Sequence, residues 1–501
     1  MTPDRNELSS IKTKVVYGLG SVAFGIKDNG FNIILLLFYN QVIGLPAYLV
    51  SGAIAMVLVV EGILDPIIGQ VSDNFRSRWG RRHPFMYASA LPVALSYLML
   101  WNPPEMSQSA TLAYLVCVAL VVRTFISFYE IPSAALVPEL TDDYDKRTSF
   151  LAFRSCFAWY GGLTMSFLSF RVFLVPDAEH PVGQLNEAGY HLYGMTAAAI
   201  MFVVIMVSAL GTHKFIPLFR QPVKRELTLK QYGDELLTTL KNRSFLIVMA
   251  SSMLAYISMG LTHGLWVYFM SYFWELSNVG MSMMTLSWFV AVFAAFFLAP
   301  RVSHWIGKRN GVMVLYPLGF AITTLPLVLR LVGLFPDNGS DAMLPLLLIF
   351  TGAGAILTSA SWILTPSMLA DVVEESELKT GRRSEGVFFA GSAFLQKSMS
   401  GMGVFVSGLI LTLVGFPQGA KPGLVDPEVL RNLTLVFVIL VSLLHLGAVL
   451  IIRSYKITRA SHAENVRRLA ARAALTGGRN AAAGDENAPA AAPANTRVEP
   501  T

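Results

Sequence analysis

The sequence predicts an all-α membrane protein of twelve transmembrane helices, arranged as two pseudo-symmetric six-helix bundles with both termini in the cytoplasm. Composition is the first observation behind this. Of 501 residues, 54% are hydrophobic and 14% charged, with a mean hydropathy of +0.55, whereas about a quarter of a soluble chain is charged. Second, the apolar residues fall in about twelve continuous runs of about 20 residues, not in the alternating pattern of a barrel. Third, the loops between runs alternate between basic and lysine- and arginine-free, as orientation in a bilayer requires.

In order, the runs lie near 15–40, 47–72, 84–101, 110–138, 149–175, 189–212, 244–273, 282–305, 312–334, 343–370, 385–414 and 430–453. The loops expected inside carry Arg76, Arg78, Arg81 and Arg82, then Lys146 and Arg147, Lys308 and Arg309, and Lys379, Arg382 and Arg383. Those at 41–47, 102–109 and 274–281 hold neither lysine nor arginine, and Lys421 and Arg431 are mild exceptions elsewhere. The net charge of +6 is spread over short loops and the tail. That distribution suits bilayer orientation and argues against nucleic-acid binding. The polar N-terminus reads as uncleaved, with the first span directing insertion. Cys117 and Cys156 lie in apolar runs without metal-ligand spacing and are expected as small buried hydrophobes.

Four segments follow: an N-terminal bundle over 1–212, a cytoplasmic loop over 213–243, a C-terminal bundle over 244–453, and a largely disordered tail over 454–501. The loop is expected to hold a short amphipathic helix near 228–241 lying on the membrane face. The halves echo each other. IPSAALVPELTDDYDKRTSFLAFRS leaves and re-enters the membrane in the first, and TPSMLADVVEESELKTGRRSEGVFFAGS does so in the second. The basic loop Arg76–Arg82 has a weaker partner in GKRNG at 307–311. Parallel six-span repeats with a site at their mid-membrane interface are the layout of major facilitator transporters.

The chemistry lies in charges sunk within the spans, which are costly there and mark ion or substrate pathways. Glu61 and Asp65 are one helical turn apart and so share a face. Two such carboxylates in a poor dielectric need a cation or a proton before both are tolerated. Lys27 and Asp28 lie midway along the first span, and as neighbours on a helix they do not face each other. Glu130 in span four and Arg154 in span five are candidates for each other, although Asp28 or a substrate group would also serve. Arg123, one or two turns before Glu130, is a further buried cation with no assigned role. His263 and His445 stand alone and read as satisfied or lipid-edge side chains. No Ser/His/Asp cluster, HExxH or cysteine ligand set occurs, so an enzyme is not expected.

DPIIGQVSDNFRSRWGRRHP, EIPSAALVPELTDDYDKR followed by Arg154, and ADVVEESELKTGRR followed by Lys397 together resemble the glycoside–pentoside–hexuronide cation symporters, the melibiose-permease group. The likeness runs from about residue 14 to 453. It implies alternating-access symport of a small solute, most often a sugar or glycoside, driven by Na⁺ or H⁺, in the bacterial inner membrane. Glu61, Asp65 and Ser127 would take the cation, with Na⁺ at Glu61 and Asp65 as the metal candidate. Lys27, Asp28, Glu130, Arg154, Trp362 and Lys397 would surround the solute, Asp28 accepting from sugar hydroxyls, Trp362 offering a flat face and Lys397 facing the first-half carboxylates. Asp73, Arg78, Arg81 and Arg82 resemble the latch between spans two and three of the major facilitator class, with Arg382 and Arg383 as its second-half counterpart. The chain departs from the pattern at Glu61 and Glu130, where aspartate is usual, at Leu64 in place of an asparagine ligand, and at Ala134 in place of a stacking tryptophan. Those departures keep open an amphipathic solute, a lysophospholipid or organic anion, and put proton coupling beside sodium. No other cofactor is implied, the expected partners are solute, cation and bilayer, and the chain is expected to be a monomer.

Overall fold

The computed structural model describes residues 5–8, 10–141, 143–178, 180–219, 242–380, 385–469 and 471. Among the described residues, twelve long helices make up the fold. In the first half they are α1 (Ile11–Val42), α2 (Ala47–Asn74), α3 (His83–Leu100), α4 (Gln108–Leu140), α5 (Tyr144–Leu168, continued by a wider π turn at Ser169–Phe173) and α6 (Glu187–His213). The second half has α7 (Arg243–Phe273), α8 (Asn278–Ile306), α9 (Lys308–Leu331), α10 (Met343–Thr380), α11 (Glu385–Leu413) and α12 (Pro427–Ile452). Among the described residues ten are long and apolar enough to cross a membrane. The other two, α3 and α5, are of spanning length but more polar. α5 carries Lys146, Arg147 and Arg154 and packs along α1, while these charges meet Asp143, the Thr141 carbonyl and Glu130.

The two halves repeat one packing plan. In the first, α1 packs on α5 and α6, α2 on α4, and α3 on α4 and α6. Six helices on, α7 packs on α11 and α12, α8 on α10, and α9 on α10 and α12. The bundles meet through α2 against α11 and, in the mirrored role, α8 against α5. Outward faces carry apolar side chains, for example Ile63, Ile67 and Val71 on α2 and Leu443, Leu446 and Leu450 on α12. Such faces are stable only against lipid. Cys117 and Cys156 are exposed on these outer surfaces, contrary to the expected burial. The reason is that a small apolar thiol is equally at home against hydrocarbon.

The repeat extends to backbone detail. α1 ends in a π turn, Phe38–Val42, and α7 in another, Phe269–Phe273. Each is followed by a left-handed residue at the same offset, Gly44 (φ 86°) and Glu275 (φ 46°). Close approach is matched too: a β-carbon on Gly25 would lie 2.0 Å from the Ala158 carbonyl between α1 and α5, and one on Gly260 2.0 Å from the Ser400 carbonyl between α7 and α11. Gly25→Val and Gly260→Val should therefore each lower the apparent melting temperature in detergent. Overpacking of this kind costs about 1–3 kcal/mol, and an unchanged melting curve would refute the close contact.

Three details depart from expectation. α10 runs ten residues past its expected end at 370, so its last turns, with Asp371, Glu374 and Glu375, belong to a single 38-residue rod. At 1.5 Å per residue that rod is about 57 Å long, against an apolar core of about 30 Å. Residues 459–469 form a short helix after α12, and its His462 lies 3.0 Å from Glu374 and 3.5 Å from Asp371. The amphipathic helix anticipated near 228–241, Arg382 and Arg383, and the tail beyond 471 lie outside the described residues.

Candidate functional site

Polar contacts close the interface at the end away from the termini. Gln41 on α1 donates to the Pro417 carbonyl at 3.1 Å and accepts from the Ala420 amide at 3.0 Å. Tyr268 on α7 donates to Asn40 at 2.8 Å, and Asn278 on α8 to the Leu174 carbonyl. Among the described residues at the termini end, the recorded ion pairs of Arg81, Arg82 and Lys308 each stay within one half. Arg81 pairs with Glu139, while Arg82 reaches Asp73 at 3.1 Å and Glu139 at 3.3 Å. Glu139, on the last turn of α4, is the acid that sequence reasoning missed. Arg78 stays outside this group and lies over the Trp79 ring at 5.4 Å. In the second half Lys308 holds Asp371 at 2.6 Å.

Between these ends lies a cluster of eight charges contributed by five helices. Glu61, 1% exposed, sits on α2 with its side chain turned inward. Its Oε2 accepts from Arg123 on α4, and its Oε1 accepts from Lys397 Nζ on α11 at 3.0 Å. Lys27 Nζ on α1 lies 3.6 Å from the same Oε1. One turn on, Asp65 accepts from Ser127 at 2.6 Å through Oδ1 and pairs with Lys397 through Oδ2. Lys397 thus bridges both carboxylates from the opposite bundle. Arg154 on α5 lies 3.6 Å from a Glu130 carboxylate oxygen and over the Phe24 ring at 4.8 Å.

Two expectations are corrected by this geometry. Lys27 and Asp28 do meet, at 2.8 Å, because the four-carbon lysine stem reaches back along the helix where the backbone directions diverge. The carboxylate pair also needs no external cation to be tolerated. Lys27, Arg123 and Lys397 surround it, and the eight charges (Asp28, Glu61, Asp65 and Glu130 against Lys27, Arg123, Arg154 and Lys397) sum to zero. Such pairing is what makes buried charge stable at all, since an unpaired ion in a poor dielectric is strongly penalised. From sequence Arg123 is only a cation in an apolar run, because no spacing rule links residues 62 positions apart.

Asp28 differs from its neighbours in being open, with a side chain 49% exposed while Lys27 beside it is 2% exposed. It is the cluster's accessible acceptor. Trp362 does not join the cluster. Its ring stacks on Tyr256 at 5.3 Å and meets Tyr316 edge-on at 5.6 Å, inside the second bundle. A small cleft of about 160 Å³ lies close to it, lined by Tyr256, Thr365, Ser392 and Gln396, the last adjacent in sequence to Lys397. His445 is a satisfied core residue, its ring stacked on Phe320 at 4.4 Å with Nδ1 2.7 Å from the Val441 carbonyl.

Two mirrored bundles joined at mid-membrane by an internal ion cluster define a membrane transporter rather than a catalyst. The chain belongs to the family described as MFS/sugar transport protein, which matches residues 16–459. It is 27% identical to an uncharacterized symporter of Synechocystis over 92% of this chain and 96% of that one. It is 24% identical to a putative glycoside/cation symporter of Escherichia coli, covering 90% and 93% of the two chains. The isoprimeverose transporter of Lactiplantibacillus pentosus is also 24% identical, over 80% of each. Among solved structures, a D-xylose-proton symporter superposes with a TM-score of 0.61 at 13% identity, covering 89% of this chain and 97% of that one. The nucleoside transporter NupG gives 0.56 at 15%, covering 90% and 100%. At such identities the structural likeness speaks for the fold alone. The protein is an integral multi-pass membrane protein.

Proposed function

We propose that this chain is a cation-coupled symporter of a sugar or glycoside that works by alternating access as a monomer in the bacterial inner membrane, with both termini cytoplasmic. The observation that carries this reading is Lys397 of the second bundle holding Glu61 and Asp65 of the first. An ion pair spanning the interface must break when the bundles part, and each freed charge then needs a new partner. A cation at Asp65 and Ser127 supplies one for the acids; the solute, engaging Asp28, Glu130 and Arg154, supplies the rest. Rocking with only one of them bound leaves an uncompensated buried charge, and that penalty is the basis of coupling. The bundles are taken as 1–212 and 244–453 about a central loop at 213–243, with 454–501 as a cytoplasmic tail. With both termini taken as cytoplasmic, the end joined by Gln41, Asn40 and Asn278 is read as the outer one.

Ala134 bears on the solute class within this reading. Without a tryptophan at 134, recognition rests on hydroxyl acceptors more than on ring stacking, and Asp28 is suited to two vicinal hydroxyls. Counterflow in proteoliposomes over a panel of radiolabelled pentosides, hexosides and hexuronides, with a lysophospholipid arm, tests it. Exchange of at least one glycoside is expected; exchange confined to lysolipid would replace the sugar reading with the amphipathic one.

A further inference from the structure

All four oxygens of the Glu61–Asp65 pair already face a donor. Arg123 takes Glu61 Oε2, Lys397 takes Glu61 Oε1 at 3.0 Å and also Asp65 Oδ2, and Ser127 takes Asp65 Oδ1 at 2.6 Å. These donors differ in how readily they leave. Lys397 comes from α11 in the opposite bundle, with its side chain 22% exposed. Arg123 and Lys27 come from α4 and α1, in the same bundle as the acids, and each side chain is 2% exposed. Arg123 is further pinned over the Phe31 ring, its charge centre 4.4 Å from the centroid.

When the bundles separate, α11 carries Lys397 away and the other two cations stay. The group left behind, Asp28, Glu61, Asp65, Lys27 and Arg123, has three negative and two positive charges, with Lys27 held by Asp28 at 2.8 Å. A hard cation is held by a shell of oxygens with net negative charge. Here the single net negative charge includes the open Asp28, Glu61 is covered on one oxygen by a guanidinium, and the remaining neutral side-chain oxygen is Ser127 alone, since Leu64 offers none. The donor set does not fit a sodium ion.

We propose that Arg123 is a tethered cation standing where an alkali ion would sit on Glu61, and that it makes the ion site of this chain exclude sodium. The inference rests on reading Glu61 and Asp65 as the ion site. Removing the guanidinium would leave the same group at net −2, with Glu61 Oε2 freed of its cation.

The test uses the full chain purified in detergent, with ²²Na⁺ binding and apparent melting temperature followed as NaCl replaces choline chloride at constant ionic strength. The wild-type protein should show no saturable sodium binding and no sodium-specific stabilisation. Arg123→Gln should acquire saturable binding, at least about tenfold above the wild-type signal, and a sodium-dependent rise in melting temperature. Arg123→Lys, which keeps the charge, should behave as wild type, a pattern that a merely structural role would not produce. Arg123→Asn replaces the glutamine variant if that one fails to fold. Saturable sodium binding by the wild-type chain would overturn the proposal, as would a folded neutral variant that binds none. Failure of the transport reading would appear elsewhere, as absence of solute counterflow in every cation, and a sodium gain in Arg123→Gln would survive it.

Discussion

Replacing Asp65 by asparagine should abolish accumulation of solute against its gradient, by at least about 100-fold, while counterflow persists at a reduced rate. Asp65 is the carboxylate that Lys397 releases most cleanly, since it is 20% exposed and its other oxygen faces only Ser127. With an amide there, Lys397 retains Glu61 alone. Rocking without a bound cation then no longer strands a second carboxylate. Breaking a buried pair is worth about 3–5 kcal/mol when fully desolvated. Partial exposure places this pair at the lower end, about two decades at 1.4 kcal/mol per decade. Uphill uptake in D65N equal to wild type would end the coupling role assigned to this residue.

The second large effect concerns stability. Glu61→Ala leaves Arg123 without its carboxylate and Lys27 with Asp28 alone, each cation 2% exposed, so the variant should be destabilised by about 3–5 kcal/mol. Arg123→Ala should cost less, because Glu61 keeps Lys397 at 3.0 Å and Lys27 at 3.6 Å. In the double variant both unpaired charges are gone, and its loss should fall short of the summed single losses by about 2 kcal/mol. Apparent melting temperatures of the four proteins in detergent report this directly. Strict additivity would mean that the Arg123–Glu61 contact contributes nothing.

Some of this was legible in the chain and some was not. Spans, loop charge and the echo of IPSAALVPEL with TPSMLADVVEE are local patterns, and helices in a bilayer must satisfy their backbone locally. Glu61 and Asp65 stood out because acids in apolar runs are rare. Glu139 did not, because it sits at a helix end where an acid is ordinary, and its two arginine partners lie 58 and 57 positions away. Trp362 illustrates the reverse: a tryptophan in the right register is a good candidate until its face is found stacked on Tyr256. The matched π turns at Phe38–Val42 and Phe269–Phe273 carried no residue signal, since FYNQV and FMSYF share little beyond an initial phenylalanine.

The linear sequence by itself determined that this is a twelve-helix membrane protein built from two related halves with acids and bases sunk in its spans. Hydropathy, loop charge and internal repetition depend on residues near each other in the chain. Tertiary structure alone decided how the other buried charges pair: that Lys27 serves Asp28 and Glu61 together, and that Arg123 occupies Glu61. Electrostatic partnership depends on distance in space, and only the packing of α1, α2, α4 and α11 brings charges up to 336 positions apart within bonding range.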